Sequence, residues 1–134
     1  MIVADTNLIA SLLLAGPATA VAEAVLKKDA EWTAPALWRY ELKNVLATQV
    51  RVLGLSLEDA IAFFEKAEEV MIEPRIEVDP ASILSLAHTN KLSAYDAEFL
   101  ALAVALKVKL ITEDKGILKT APNLALSPGA FTTT

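Results

Sequence analysis

Short β-like apolar runs alternate with longer helical ones along the whole sequence. That order marks an α/β protein with a parallel sheet, because parallel strands need helical crossovers between them. The predicted strands are 2–4, 31–34, 72–78, 109–112 and 124–126, with Pro74 tolerated only if the third lies at an edge. Between them the pattern predicts helices over 7–14, broken at Gly16-Pro17, and over 18–28, ending in Lys27 and Lys28 where cations suit the dipole. A long helix over 37–53 has Gly54 placed as its left-handed C-cap. Ser56 caps the next, which runs to Met71, and Asp79-Pro80 opens another that ends near Asn90. Helices over 93–106 and 115–119 follow, and 132–134 reads as a frayed tail.

With no repeat or linker-like run, the 134 residues are expected to form one domain with a substantial core. The apolar fraction of 54% is slightly high for a monomer of this size and points to a surface covered by a second copy or a partner. Cysteine is absent, which excludes disulfides, thiolate zinc sites and a cysteine nucleophile. The opening MIVADTN lacks a basic run and is not expected to be a signal peptide. The longest apolar stretch, 99–106, is far short of the roughly 20 residues that span a bilayer. A soluble, cytoplasmic protein without membrane contact is the expectation. The net charge of −5 disfavours a protein that coats nucleic acid, since counterion release asks for a basic face. An enzyme that meets nucleic acid locally, through divalent ions on an acidic cluster, remains open.

Four acids stand apart from solvated faces. Asp5 ends the first strand and Asp114 lies just past the fourth, at the carboxyl edge where open parallel sheets place their ligand sites. Helix N-capping is the ordinary alternative for both. Asp96, in Ser93-Ala94-Tyr95-Asp96, has the spacing of a capping box at the mouth of a very apolar helix. Glu41 sits early in its helix among aromatic and apolar residues, where an acid also suits the dipole. Drawn to one rim, such acids would repel each other and raise some of their pKa values. A hard divalent cation relieves that conflict and supplies phosphoryl chemistry.

Those same segments, ADTNLI, WRYELKNVL, SAYDAEFLALA and LITEDKGIL, resemble the PIN-domain nucleases, in particular the VapC-type toxins of prokaryotic toxin–antitoxin pairs. The resemblance covers nearly the whole chain. It implies a three-layer α/β/α sandwich with a five-stranded parallel sheet in the order 3-2-1-4-5, which puts Asp5 and Asp114 side by side. It further implies that Asp5, Glu41, Asp96 and Asp114 bind Mg²⁺ or Mn²⁺ and hydrolyse RNA by attack of a metal-activated water. Asn7 and Thr112 match polar positions that steady the acids. An antitoxin and a second copy of the chain are the implied partners.

Arg39, Lys43, Lys115 and Lys119 flank the expected site and are candidates to hold RNA phosphates, a solvated face being their alternative. Trp32, Trp38 and Tyr40 are candidates for base stacking or for a packed core or dimer surface, and the stripe Phe63, Phe64, Ala67, Val70, Met71 for core or subunit interface. Glu98 lies about 200° around its helix from Asp96 and should point elsewhere. His88, the only histidine, reads as a surface residue near a helix end, which leaves little room for Ser-His-Asp or His-zinc chemistry. A dehalogenase-like phosphatase would need an acid where Asn7 stands, a receiver domain fits poorly, and no Gly-rich phosphate loop is present. The remaining competitor is a non-catalytic PIN-like module that binds a protein partner.

Overall fold

The computed structural model describes residues 1–134. Its elements run β1 (Ile2–Ala4), α1 (Thr6–Leu13), α2 (Thr19–Lys28), β2 (Trp32–Thr33), α3 (Leu37–Leu53), α4 (Leu57–Val70), β3 (Met71–Ile72), α5 (Pro80–Asn90), α6 (Ala94–Leu106), β4 (Leu110–Ile111), α7 (Lys115–Thr120), β5 (Ala125–Leu126) and α8 (Pro128–Thr132). The sheet is five-stranded and parallel in the order β3-β2-β1-β4-β5, the middle layer of an α/β/α sandwich. This is the expected architecture, strand count and order included.

β1 lies at the centre because it is wholly apolar and can be covered on both faces. Val3 pairs with Thr33 of β2 on one side and Leu110 of β4 on the other. The crossover after β1 leads to β2 and the later chain returns to β4, so the strand order reverses between β1 and β4. That reversal opens a crevice at their carboxyl ends.

Helix α6 explains why the core closes. Ala97, Phe99, Leu100, Ala101, Leu102 and Ala103 are all buried, so this helix is apolar around its circumference, as a helix enclosed by other elements must be. It packs on β1 and β4, and α5 covers it. One cluster of 26 buried residues, from Ile2 to Ala125, forms the main core, and a satellite of Ile83, Ala97 and Ala101 joins α5 to α6.

Several boundaries differ from the expected ones for local reasons. Thr6, not Asn7, begins α1, because Asp5 caps it through the Leu8 amide. Met71 belongs to β3, and the ladder stops at Ile72 where residues through 78 were expected to continue it. Pro74 has no N–H to extend that edge strand. The chain end carries a helix that was not expected: Ser127 caps α8 with Pro128 in its first turn, and only Thr133 and Thr134 lie beyond it. Lys28 Nζ then bonds the carbonyl oxygens of Phe131 and Thr134, at 2.5 and 2.8 Å, and fastens this end to α2. No helix is long and apolar enough to cross a membrane.

Candidate functional site

Asp5 follows β1 directly, and its backbone N–H still donates to the Ile111 carbonyl at 3.3 Å, continuing the ladder toward β4. The chain turns there into α1, and Asp5 Oδ1 accepts from the Leu8 amide at 2.8 Å as the N-cap. Its other oxygen accepts from Thr112 Oγ1 at 2.5 Å. Thr112, fully buried just past β4, also accepts from the Asp114 amide at 3.0 Å. One hydroxyl therefore fixes the two strand-end acids relative to each other. Asp114 caps α7 through the Ile117 amide at 2.9 Å. Both capping roles are real, and neither uses up a carboxylate, which offers about four lone-pair positions.

Asp96 behaves differently from the capping box its spacing predicts. Ser93 is the cap of α6, accepting from the Asp96 amide at 3.1 Å. The Asp96 carboxylate lines the cleft instead. Glu41 lies in the second turn of α3, beyond the reach of a first-turn dipole effect, since α3 has no acid in its first turn. Its Oε1 accepts from Thr6 Oγ1 at 2.7 Å. The topology thus brings Asp5, Glu41, Asp96 and Asp114 to one cleft of about 440 Å³, together with Thr6, Asn7, Tyr40, Asn44 and Tyr95.

The electrostatics of this cleft are one-sided. No lysine, arginine or histidine lines it, and every ion pair of the protein lies elsewhere, on Asp29, Glu31, Glu68 and Glu73. Burial pushes the Asp5 pKa up to about 6, with Asp114 and Glu113 adding repulsion, despite the lowering effect of the Thr112 and Leu8 hydrogen bonds. Asp96 is also raised, first by burial and then by Asp114. Asp5 and Asp96, desolvated without a counter-cation, belong with Glu41 and Asp114 to an all-oxygen lining whose chemistry fits a hard divalent ion. No three acids are grouped closely enough to enclose one ion by themselves. An ion held by one or two of these acids would keep several of its waters, as Mg²⁺ commonly does.

The other expected residues divide. Asn7 lines the cleft, but the hydroxyl that steadies an acid from this turn belongs to Thr6. Arg39 is outside: it pairs with Glu68 at 2.6 Å and Glu73 at 2.9 Å beside a separate cavity that Glu98 also lines. Lys43 is exposed with its ammonium 4.8 Å from the Tyr40 ring centroid, and Lys115 and Lys119 are exposed on α7 without lining the cleft. Trp32 and Trp38 are core residues, the latter stacked on Phe64 at 5.7 Å. His88 is exposed near the end of α5.

Two site residues carried no sequence signal. Thr6 is an ordinary first helical residue until the fold sets Glu41 against it. Gly116 is the other: a Cβ there would stand 3.1 Å from Asp114 Oδ1, so the smallest residue leaves room for that carboxylate.

A doubly wound parallel sheet with a carboxylate-lined crevice at its switch point defines the open α/β class, whose ligand sites lie at the carboxyl ends of the strands. Within that class, the PIN domain family model matches residues 2–122, and this chain belongs to that family. PIN domains are generally nucleases. The fold is similar to that of PAE2754 from Pyrobaculum aerophilum, with TM-score 0.75 and 19% identity over 98% of this chain and 92% of that one. It is similar to FitAcB from Neisseria gonorrhoeae, with TM-score 0.65 and 23% identity over 96% of this chain and 99% of that one. It also resembles FitAB bound to an IR36 DNA fragment, with TM-score 0.63 and 20% identity over 96% and 95%. At these identities the likeness concerns the fold. No curated protein sequence matches the chain.

Proposed function

We propose that this protein is a Mg²⁺- or Mn²⁺-dependent endoribonuclease acting as the toxin of a toxin–antitoxin pair. The observation that carries the reading is the cleft itself: Asp5, Glu41, Asp96 and Asp114 all line it, with no lysine, arginine or histidine among the lining residues. Membership of a generally nucleolytic family supports the same chemistry.

When bound, a divalent ion supplies an activated water and neutralises charge on the phosphodiester. The chain contributes the placement. Asp5 and Asp114, tied through Thr112, form the rigid half of the donor set. Glu41 is oriented by Thr6, and Asp96 by the Ser93-capped start of α6. Burial keeps water from screening Asp5, which strengthens its hold on a cation.

A protein partner is supported by a separate feature. Leu46, Val50, Leu57, Ile61 and Phe64 line an apolar groove between α3 and α4, with Leu57 and Ile61 67% and 51% exposed. An antitoxin segment or a second copy of the chain would remove this surface from water.

Incubation of the purified protein with structured RNA, with and without EDTA, tests the chemistry. Cleavage is expected in Mg²⁺ or Mn²⁺, to vanish on chelation, and to fall by at least 100-fold in Asp5→Asn and Asp96→Asn, since a lost metal ligand removes several kcal/mol of charge stabilisation. Cleavage that survives chelation, or that both variants retain, overturns the metal mechanism.

A further inference from the structure

The chain contains two tyrosines, and both line the carboxylate cleft. Tyr40 directly precedes Glu41 on α3, and Tyr95 directly precedes Asp96 on α6. They are 67% and 65% exposed. Aromatic rings normally dominate the buried side of a protein, as Trp32 and Trp38 do here. Two rings left in solvent, each beside a cleft carboxylate, mark that cleft as the place where something flat is received.

Resting on the nuclease reading, we infer that Tyr40 and Tyr95 are the base-stacking platforms of this cleft, seating nucleotides of the RNA strand beside its carboxylates. Charge leads to the same answer. Away from a bound divalent ion, a phosphate backbone entering the cleft meets carboxylates and no lysine or arginine from its lining, so side chains of the lining do not hold the flanking phosphates by ion pairing. Base faces are uncharged and stack on tyrosine without opposing that field. In a duplex those faces are covered by neighbouring bases, whereas an unpaired nucleotide offers them. Lys43, 4.8 Å from the Tyr40 ring centroid, puts one mobile cation next to that platform, outside the cleft lining, where a flanking phosphate would lie.

The test uses Tyr40→Ala, Tyr95→Ala and the two Phe variants. All four changes are at exposed positions. Steady-state cleavage of a labelled single-stranded oligoribonucleotide in Mn²⁺ separates KM from kcat. Fluorescence anisotropy with Ca²⁺ in place of Mn²⁺ measures binding of the same strand, alone or annealed to its complement. Each Ala variant should raise KM and the single-strand Kd by about 10-fold with kcat little changed. Each Phe variant should behave as the unaltered protein, because stacking uses the ring face, and duplex binding should be weak and insensitive to all four changes.

Ala variants that bind and cleave the single strand normally, while Asp5→Asn is inactive, overturn the stacking role and leave the nuclease reading standing. No cleavage by the unaltered protein, with single-strand binding still lost in the Ala variants, removes the nuclease reading and leaves the stacking role. Duplex bound as tightly as single strand, or Ala variants that lose only a protein partner, overturns the inference.

Discussion

Asp5 shows how one residue can serve the site at a cost to the fold. Its folded-state pKa of about 6 lies above the ordinary 3.8, so the folded state holds that proton more tightly than the unfolded chain does. Without metal, stability should therefore fall as pH rises from about 4 to about 6 and return on acidification through the same window. At about 1.4 kcal/mol per pKa unit the penalty at neutral pH is on the order of 3 kcal/mol. Asp5→Asn keeps an N-cap acceptor for Leu8 while removing the charge. Thermal unfolding in EDTA should show this variant more stable than the unaltered protein at neutral pH, by roughly 1–3 kcal/mol, with the pH window flattened. An Asn variant no more stable at neutral pH contradicts the burial penalty. Gly116→Ala separates the same two demands at Asp114. Helix propensity favours Ala by about 1 kcal/mol, but its Cβ would crowd the carboxylate at 3.1 Å. Unchanged or higher melting temperature with reduced cleavage is the expected outcome. Asp5 and Asp114 were legible in the sequence as strand-end acids; Thr6 and Gly116 were not, because their importance comes from distant partners.

At the scale of elements, caps do more than end helices. Ser93 stops the first turn of α6 from fraying and so aims Asp96 into the cleft. Ser93→Ala should cost about 1 kcal/mol in chemical denaturation and also weaken divalent-ion binding, whereas Ser93→Asp should restore stability. Gly54 caps α3 at φ 77°, a conformation that costs a residue with a Cβ about 1 kcal/mol or more. Gly54→Ala should lower stability by that amount without affecting the site, which lies at the other end of α3. The periodic helices, the Gly54 cap and the central strand were readable because each depends on nearby residues. The expected third strand runs past Pro74 where the ladder stops, and α8 is a helix the periodicity does not predict, although Ser127-Pro128 has the chemistry of a helix start. Arg39 stands two residues before Glu41 in sequence, yet Glu68 of α4 and Glu73 just past β3 draw it away.

For the whole molecule, ion binding and folding should be linked. A divalent ion that relieves repulsion in the cleft binds the folded state selectively, so saturating Mg²⁺ or Mn²⁺ at about 100 times its Kd should add about 2.7 kcal/mol of stability at neutral pH. Calorimetry should show the melting temperature rising with Mn²⁺, and the rise should be much smaller in Asp5→Asn; an equal rise in both would place the ion elsewhere. The order of strands and helices determined the parallel sheet, and the strand-end positions of Asp5 and Asp114 followed from it, since backbone pairing and apolar periodicity are properties of short stretches. Whether Glu41 and Asp96 would join them was decided only by the tertiary structure. Helix α6 packs on β1 and β4, and α3 packs on α1 and α4; that packing brings their acids beside buried Asp5 and turns four separately ordinary acids into one negative, cation-free cleft.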